Sequence, residues 1–179
     1  MALTAKQKIE EKKANRRPPL TIKDARLMFR NFSGRQTQYN PAGQRNFNIV
    51  INPEDVEQLK ADGWNIRTKA PRPEYPDEET LYLLPVKVHY SEHTRPPRVV
   101  MISGGKQTEL DEDSIEMLDR VQIEKVDLRI NPSYYHIEAT GLTGYKAYLQ
   151  AIYVTVVLDE LEEMYTNFGE DATDFDNDL

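Results

Sequence analysis

Residues 20–34 read LTIKDARLMFRNFSG and residues 45–51 read RNFNIVI. The first stretch alternates apolar and polar side chains and stops at Ser33-Gly34, which predicts a strand closed by a turn. The second puts Phe47, Ile49 and Ile51 on one face at period two, which predicts its partner strand. Between them GRQTQYNPAGQ is polar and carries Gly34, Pro41 and Gly43, so it reads as the loop of a long hairpin. On strict alternation Arg30 and Phe32 share one side of the first strand, opposite Leu27 and Phe29.

Outward from this hairpin, the chain continues as short elements. Asn52-Pro53 opens PEDVEQLKADGW with an N-cap residue, a proline at the first helical position, acids in the first turn and Gly63 at the end, which predicts a short helix. Trp64, just past its end, reads as a lid on the core. TKAPRPEYPDEET is a proline-rich, charged loop. LYLLPVKVHY, PRVVMIS, EKVDLRINP and GYKAYLQAIYVTVVL are four more strands rich in Val, Ile, Leu and Tyr, with a second short helix in LDEDSIEMLDRVQ. The order is β, β, α, β, β, α, β, β. Long crossover helices are missing, so a mainly β fold is expected, a small closed barrel or sandwich with inserted short helices.

The chemistry of catalysis is thin. There is no cysteine, hence no disulfide, thiolate metal site or cysteine nucleophile. The phosphate-loop, dinucleotide and nucleophile-elbow glycine patterns are absent, and Ser103-Gly104-Gly105-Lys106 reads as a turn. His89 and His93 straddle a strand end rather than a helix face, which does not suit a metal pair. No catalytic residue, metal or cofactor is expected. No apolar run approaches the roughly 20 residues of a bilayer span, and MALTAKQKIEEKKANRRPP lacks a signal peptide's apolar centre, so a soluble cytoplasmic protein is the expectation.

Charge is segregated along the chain. The net charge is -7, yet nine of the 30 acids lie between Asp159 and Leu179 with no base among them, leaving 21 acids against 23 bases in residues 1–158. At the other end, residues 1–19 form a basic arm holding Lys6, Lys8, Lys12, Lys13, Arg16 and Arg17 against Glu10 and Glu11, closed by Pro18-Pro19. KQKIEEKKANRR within it has the composition of a charged helix. The arm is expected to add phosphate contacts or to meet another subunit of a homo-oligomer. A near-neutral body, 20–158, thus stands between a basic arm and an acidic segment, 159–179.

Within the body, aromatics interleave with bases. Arg30, Phe32, Arg35, Tyr39 and Arg45 come from the hairpin, Tyr134 and Tyr135 from INPSYYHI, and Lys146 and Tyr148 from the last strand, where they share a face with Gln150 opposite Ala147, Leu149 and Ala151. Stacking surfaces beside cations suit single-stranded nucleic acid. Aromatics are also common in any strand and its core, so a generic β-domain accounts for the pattern equally well.

The segments KDARLMFRNFSG, GQRNF, DGWNIR, PPRVVMISGGKQTELDEDS and TGYKAYLQAIYVTV, in that order, resemble the phage-encoded single-stranded DNA-binding proteins of tailed phages and prophages, over Leu20 to Leu158. The resemblance implies an antiparallel barrel like the oligonucleotide-binding (OB) fold and coating of single-stranded DNA without sequence preference or catalysis, in replication and recombination. On strand parity, Arg30, Phe32, Arg35, Tyr39, Arg45, Tyr134, Tyr135, Lys146 and Tyr148 are expected to form the DNA surface. It also implies a disordered acidic tail, which EDATDFDNDL resembles, with Asp174, Phe175, Asp176, Asp178 and Leu179 offered to phage or host replication and recombination proteins. A virion or replisome interaction module and an RNA-binding regulator are the alternatives.

Overall fold

The segment 20–31 divides its pairing between two neighbours, and that division closes a sheet into a barrel. In the computed structural model, which describes residues 2–158, the elements in chain order are α1 (Ala5–Ala14), β1 (Leu20–Ile22), β2 (Leu27–Asn31), β3 (Arg45–Ile51), a 3-10 turn at Pro53–Asp55 running into α2 (Val56–Ala61), β4 (Arg67–Lys69), β5 (Leu81–Val88), β6 (Arg98–Ser103), β7 (Lys106–Leu110), a 3-10 helix at Ile115–Asp119, β8 (Ile123–Ile137) and β9 (Leu142–Val156). β1 pairs with β8, and β2 pairs with β3, both antiparallel. At the break between them Asp24 takes φ 52°, Ala25 N donates to Val126 O at 2.8 Å, and Val50 N donates to Arg26 O at 2.9 Å. The chain changes partners there while its backbone groups remain paired.

β3 then pairs antiparallel with β5, β5 with β9, and β9 antiparallel with β8 along nearly their whole length. Counting 20–31 as one strand, the ring holds five members. An all-antiparallel ring needs an even number, so one parallel contact is forced, and it falls at Val86↔Ala147 and Lys87↔Tyr148 between β5 and β9. The barrel is therefore mixed where an antiparallel one was expected. Its strand order is that of the OB fold. β6 prolongs the parallel contact along the second half of β9, and β7 folds back on β6 through Gly104 and Gly105, both at positive φ.

Phe47, Ile49, Leu84, Val86, Val126, Ile130, Ile152 and Val154 fill the barrel. Trp64, 8 % exposed, covers one side against Tyr145. The second predicted helix is only the 3-10 helix 115–119, and its fully buried Ile115 and Leu118 join this core. That helix is clamped to the first turn. The Asp119 carboxylate accepts from Phe32 N at 2.7 Å and Ser33 N at 3.0 Å, while Arg30 Nη1 donates to the carbonyls of Leu118 and Val121. No helix among the described residues is long and apolar enough to cross a membrane. The tail residues Asp174, Phe175, Asp176, Asp178 and Leu179 lie outside the described residues.

The side assignment on β2 needs correction. Met28 faces Asn48 and Asn31 faces Asn46, so three steps on β2 match two on β3. This is a bulge with one extra residue, and past it every side chain changes face. Phe29 sits in the bulge with φ 53° and is 56 % exposed, whereas Phe32 is 0 % exposed and stacks on Phe47 with ring centroids 5.1 Å apart. Phe32 is a core residue and cannot stack on a base at the surface. Phe32→Ala should therefore lower the unfolding free energy by about 3–5 kcal/mol in urea titrations, the range for truncating a buried phenylalanine. A loss under about 1 kcal/mol would contradict its place in the core.

Candidate nucleic-acid interface

A groove crosses the strands of the barrel. Its first part lies between the 32–44 loop and the faces of β2, β3 and β5, lined by Phe29, Arg35, Tyr39, Asn46, Arg67 and Lys87 among others. Through Asn46 and Lys87 it continues to a middle part with Arg45, His89, Tyr90, Glu112 and Tyr148. Through His89 and Tyr148 it reaches a third part between the 89–95 loop, β8–β9 and α1, where Arg95, Tyr134, Lys12 and Arg16 meet.

The electrostatics of this track are one-sided. Its lining contains eight Lys or Arg and a single carboxylate, Glu112. Glu112 is already engaged, 3.4 Å from Arg45 Nη1. Arg30 is also spent, on the carbonyls of Leu118 and Val121. Lys12, Arg16, Arg35, Arg67, Lys87 and Arg95 have no ion-pair partner among the described residues. Cations left without carboxylates in a concave lining raise the local concentration of anions.

The walls are set by backbone-directed hydrogen bonds. Asn31, 7 % exposed, donates from Nδ2 to Arg35 O and accepts from Arg35 N on Oδ1, so the loop turns back on itself at Arg35. Asn40 Nδ2 donates to the carbonyls of Arg35 and Gln44, and Asn46 Nδ2 donates to Asn40 Oδ1 at 2.7 Å. Gly34 has φ +73°, and a Cβ there would lie 3.2 Å from the Gly43 backbone, so a side chain at the loop neck would be strained and crowded. Tyr39 is thereby held out at 88 % exposure.

The nine residues singled out in the sequence divide. Arg35, Tyr39, Arg45 and Tyr148 line the groove. Tyr148 is half-buried with its ring edge-on to His89, centroids 6.3 Å apart. Arg45 lies 5.4 Å from the ring centre of Tyr90, whose hydroxyl is pushed up in pKa by burial, against the opposing effect of the Arg45 charge. Arg30 lines the groove but serves as a clamp, and Phe32 belongs to the core. Tyr134 donates its hydroxyl to Glu11 at 2.8 Å, a bond to the protonated phenol that raises its pKa above the ordinary value. Its ring packs edge-on against Tyr145. Lys146 is exposed and reaches over Tyr135, 5.7 Å from the ring centre, outside the groove lining.

Several groove residues were missed, among them Phe29, Arg67, Lys87, His89 and Arg95. Lys87 and His89 were legible as polar positions in LYLLPVKVHY, and Arg67 and Arg95 sit in segments whose loop-like composition hid any face. Phe29 carried no local signal, because a bulge turned it outward. Its ring stands over the groove end with Lys69 Nζ 4.9 Å from its centre. A phenylalanine at positive φ is a strained position, and such strain persists where the surroundings enforce it.

A family model for a phage ssDNA-binding domain matches residues 9–178. No curated protein matches the chain. Among solved structures, the single-stranded DNA-binding protein from bacteriophage Enc34 aligns at 13 % identity with a TM-score of 0.46, covering 79 % of this chain and 82 % of that chain. The Enc34 protein in complex with ssDNA aligns at 12 % identity and a TM-score of 0.48, covering 79 % and 88 %. The single-stranded DNA-binding protein gp2.5 encoded by bacteriophage T7 aligns at 10 % identity and a TM-score of 0.39, covering 81 % and 92 %.

Phe29 offers a test that separates stability from ligand contact. Phe29→Gly removes an exposed ring and relieves a left-handed backbone worth about 1–2 kcal/mol. Urea unfolding should show equal or greater stability. Affinity for oligo-dT should fall by about 1–3 kcal/mol, the value of one base-stacking aromatic. Unchanged affinity would remove Phe29 from the interface.

Proposed function

The chain belongs to the phage ssDNA-binding domain family, and on that premise we propose that it coats single-stranded DNA along the groove running from Phe29 to Arg95, without sequence preference and without catalysis, during phage replication and recombination in the host cytoplasm. The observation that carries this reading is the charge of the track. Six cations without carboxylate partners among the described residues line one continuous path in a chain whose net charge is -7. Phe29, Tyr39 and Tyr148 supply ring faces or edges along the same path, which is what unpaired bases need and duplex DNA, with its bases stacked inside, cannot use. Arg35, Arg67, Lys87 and Arg95 follow the phosphates. No group on the path activates a nucleophile or moves a proton in this reading.

The acidic segment 159–179 completes the proposal from its sequence. Nine carboxylates on one tether can occupy a cationic groove when no strand is present and become available to replication and recombination proteins when a strand displaces them, with Phe175 as an apolar anchor.

Binding should be strongly salt-dependent. If each of these six cations meets one phosphate, log K against log salt has a slope of roughly -4, at about -0.7 per phosphate on a single strand. A titration of oligo-dT from low to high salt, with duplex of the same length beside it, checks this. A flat salt dependence, or equal affinity for duplex, would overturn the groove assignment. Ending the chain after Gly169 removes five acids and Phe175, so affinity at low salt should rise several-fold and converge with that of the full chain as salt screens the competition. Coincident curves at every ionic strength would show that the segment does not compete.

A further inference from the structure

The N-terminal arm packs on the barrel in an unusual way. α1 opens with a capping box between Thr4 and Gln7, yet no residue in it is buried, and its most apolar side chain, Ile9, is 57 % exposed. A ten-residue helix has marginal stability alone, and here no apolar face supplements it. What holds it is polar. Glu11 Oε1 accepts from the Tyr134 hydroxyl at 2.8 Å and lies 2.9 Å from His136 Nδ1. Lys8 Nζ is 3.3 Å from Glu138, the Tyr145 hydroxyl donates to Asn15 O at 2.8 Å, and the Arg17 guanidinium stacks 4.3 Å over the Tyr145 ring and donates to Asp62 O. Each such contact is individually weak.

The placement these contacts enforce is specific. Docked, α1 turns its acid Glu11 toward the β8–β9 hairpin and sets Lys12 and Arg16 on the groove wall with Arg95 and Tyr148. We propose that residues 5–17 form a docked wing of the DNA interface, in which Lys12 and Arg16 grip the phosphates of a strand leaving the barrel past Tyr148, and Glu11 is the positioning residue that holds the wing down. This rests on the groove reading given above. Because the cations reach the groove only when α1 is docked, strand binding and docking strengthen each other by the same factor. The wing lengthens the binding site beyond the barrel, so its contribution depends on strand length.

Glu11→Ala gives the sharpest test. It raises the positive charge of the arm and puts a better helix former at that position, so plain electrostatic attraction predicts tighter binding. A positioning role predicts weaker binding, by about threefold to tenfold for oligo-dT of about 20 nucleotides and little for about 6, within the span of site sizes of such barrels. Lys12→Gln with Arg16→Gln should give the same length-dependent loss and a salt slope shallower by about 1.4, two phosphates' worth. Amide hydrogens of residues 8–15 should exchange more slowly with the long oligonucleotide bound than with the short one. Glu11→Ala binding as well as or better than the unmodified chain would overturn the wing. Arg67→Gln with Lys87→Gln keeps the two readings apart. If that pair loses affinity while the α1 variants do not, the groove stands and the wing falls; if it binds unchanged, the groove itself is wrong.

Discussion

The closure of the barrel by residues 20–31 is the constraint on which the other features depend. A single strand must pair with β8 through its first half and with β3 through its second. The chain meets this by breaking at Asp24 and bulging at Phe29, both at positive φ. Closure removes sheet edges that would otherwise invite association. It also fixes the site: the bulge turns one phenylalanine into the groove and another into the core, and the turn that follows is held by Asp119 and Asn31. The aromatic at the groove end and the loop that forms its wall are consequences of how the ring is shut.

Five strands in a ring impose a second condition, the parallel contact of β5 and β9. It brings Lys87 beside Tyr148, and those two residues join the first part of the groove to the rest. Cations from a loop, two strands and a connecting segment therefore fall on one path although they are scattered in sequence. Among the described residues one carboxylate, Glu112, reaches that path, and it is paired with Arg45. Several acids pair elsewhere, Glu78 with Arg72, Glu138 with Lys8 and Glu11 of the arm with Tyr134 and His136, or bind backbone amides, as Asp119 does. The result is a cationic surface on an acidic protein.

Much of this was legible in the residues themselves. Period-two alternation located β3, and composition rich in Val, Ile, Leu and Tyr located β5, β6, β8 and β9; Asn52-Pro53 and Gly63 bounded α2; Ser103-Gly104-Gly105-Lys106 was a turn; and the parity of Lys146, Tyr148 and Gln150 against Ala147 and Leu149 agrees with their burial, whereas Ala151, past a register shift opposite Arg129 and Ile130, is half-buried. Segregation of acids to residues 159–179 was a matter of counting. The misreading of β2 has one physical source. Alternation assumes an unbroken ladder, and a single inserted residue between Met28 and Asn31 reverses every assignment beyond it, which is why Phe32 was expected outside and Phe29 inside.

By itself, then, the sequence determined the mainly β class, the order of its principal strands and the division into basic arm, near-neutral body and acidic end, because composition and short-range periodicity are local properties. Only the tertiary structure decided which cations share a groove, which aromatic leaves the core, that one strand pair is parallel, and that a helix with no buried residue lies against β8 and β9. Each of those depends on contacts between residues tens of positions apart, as Glu11 with Tyr134 and Arg30 with Leu118 are. Ring closure sets such contacts, and no window along the chain contains them.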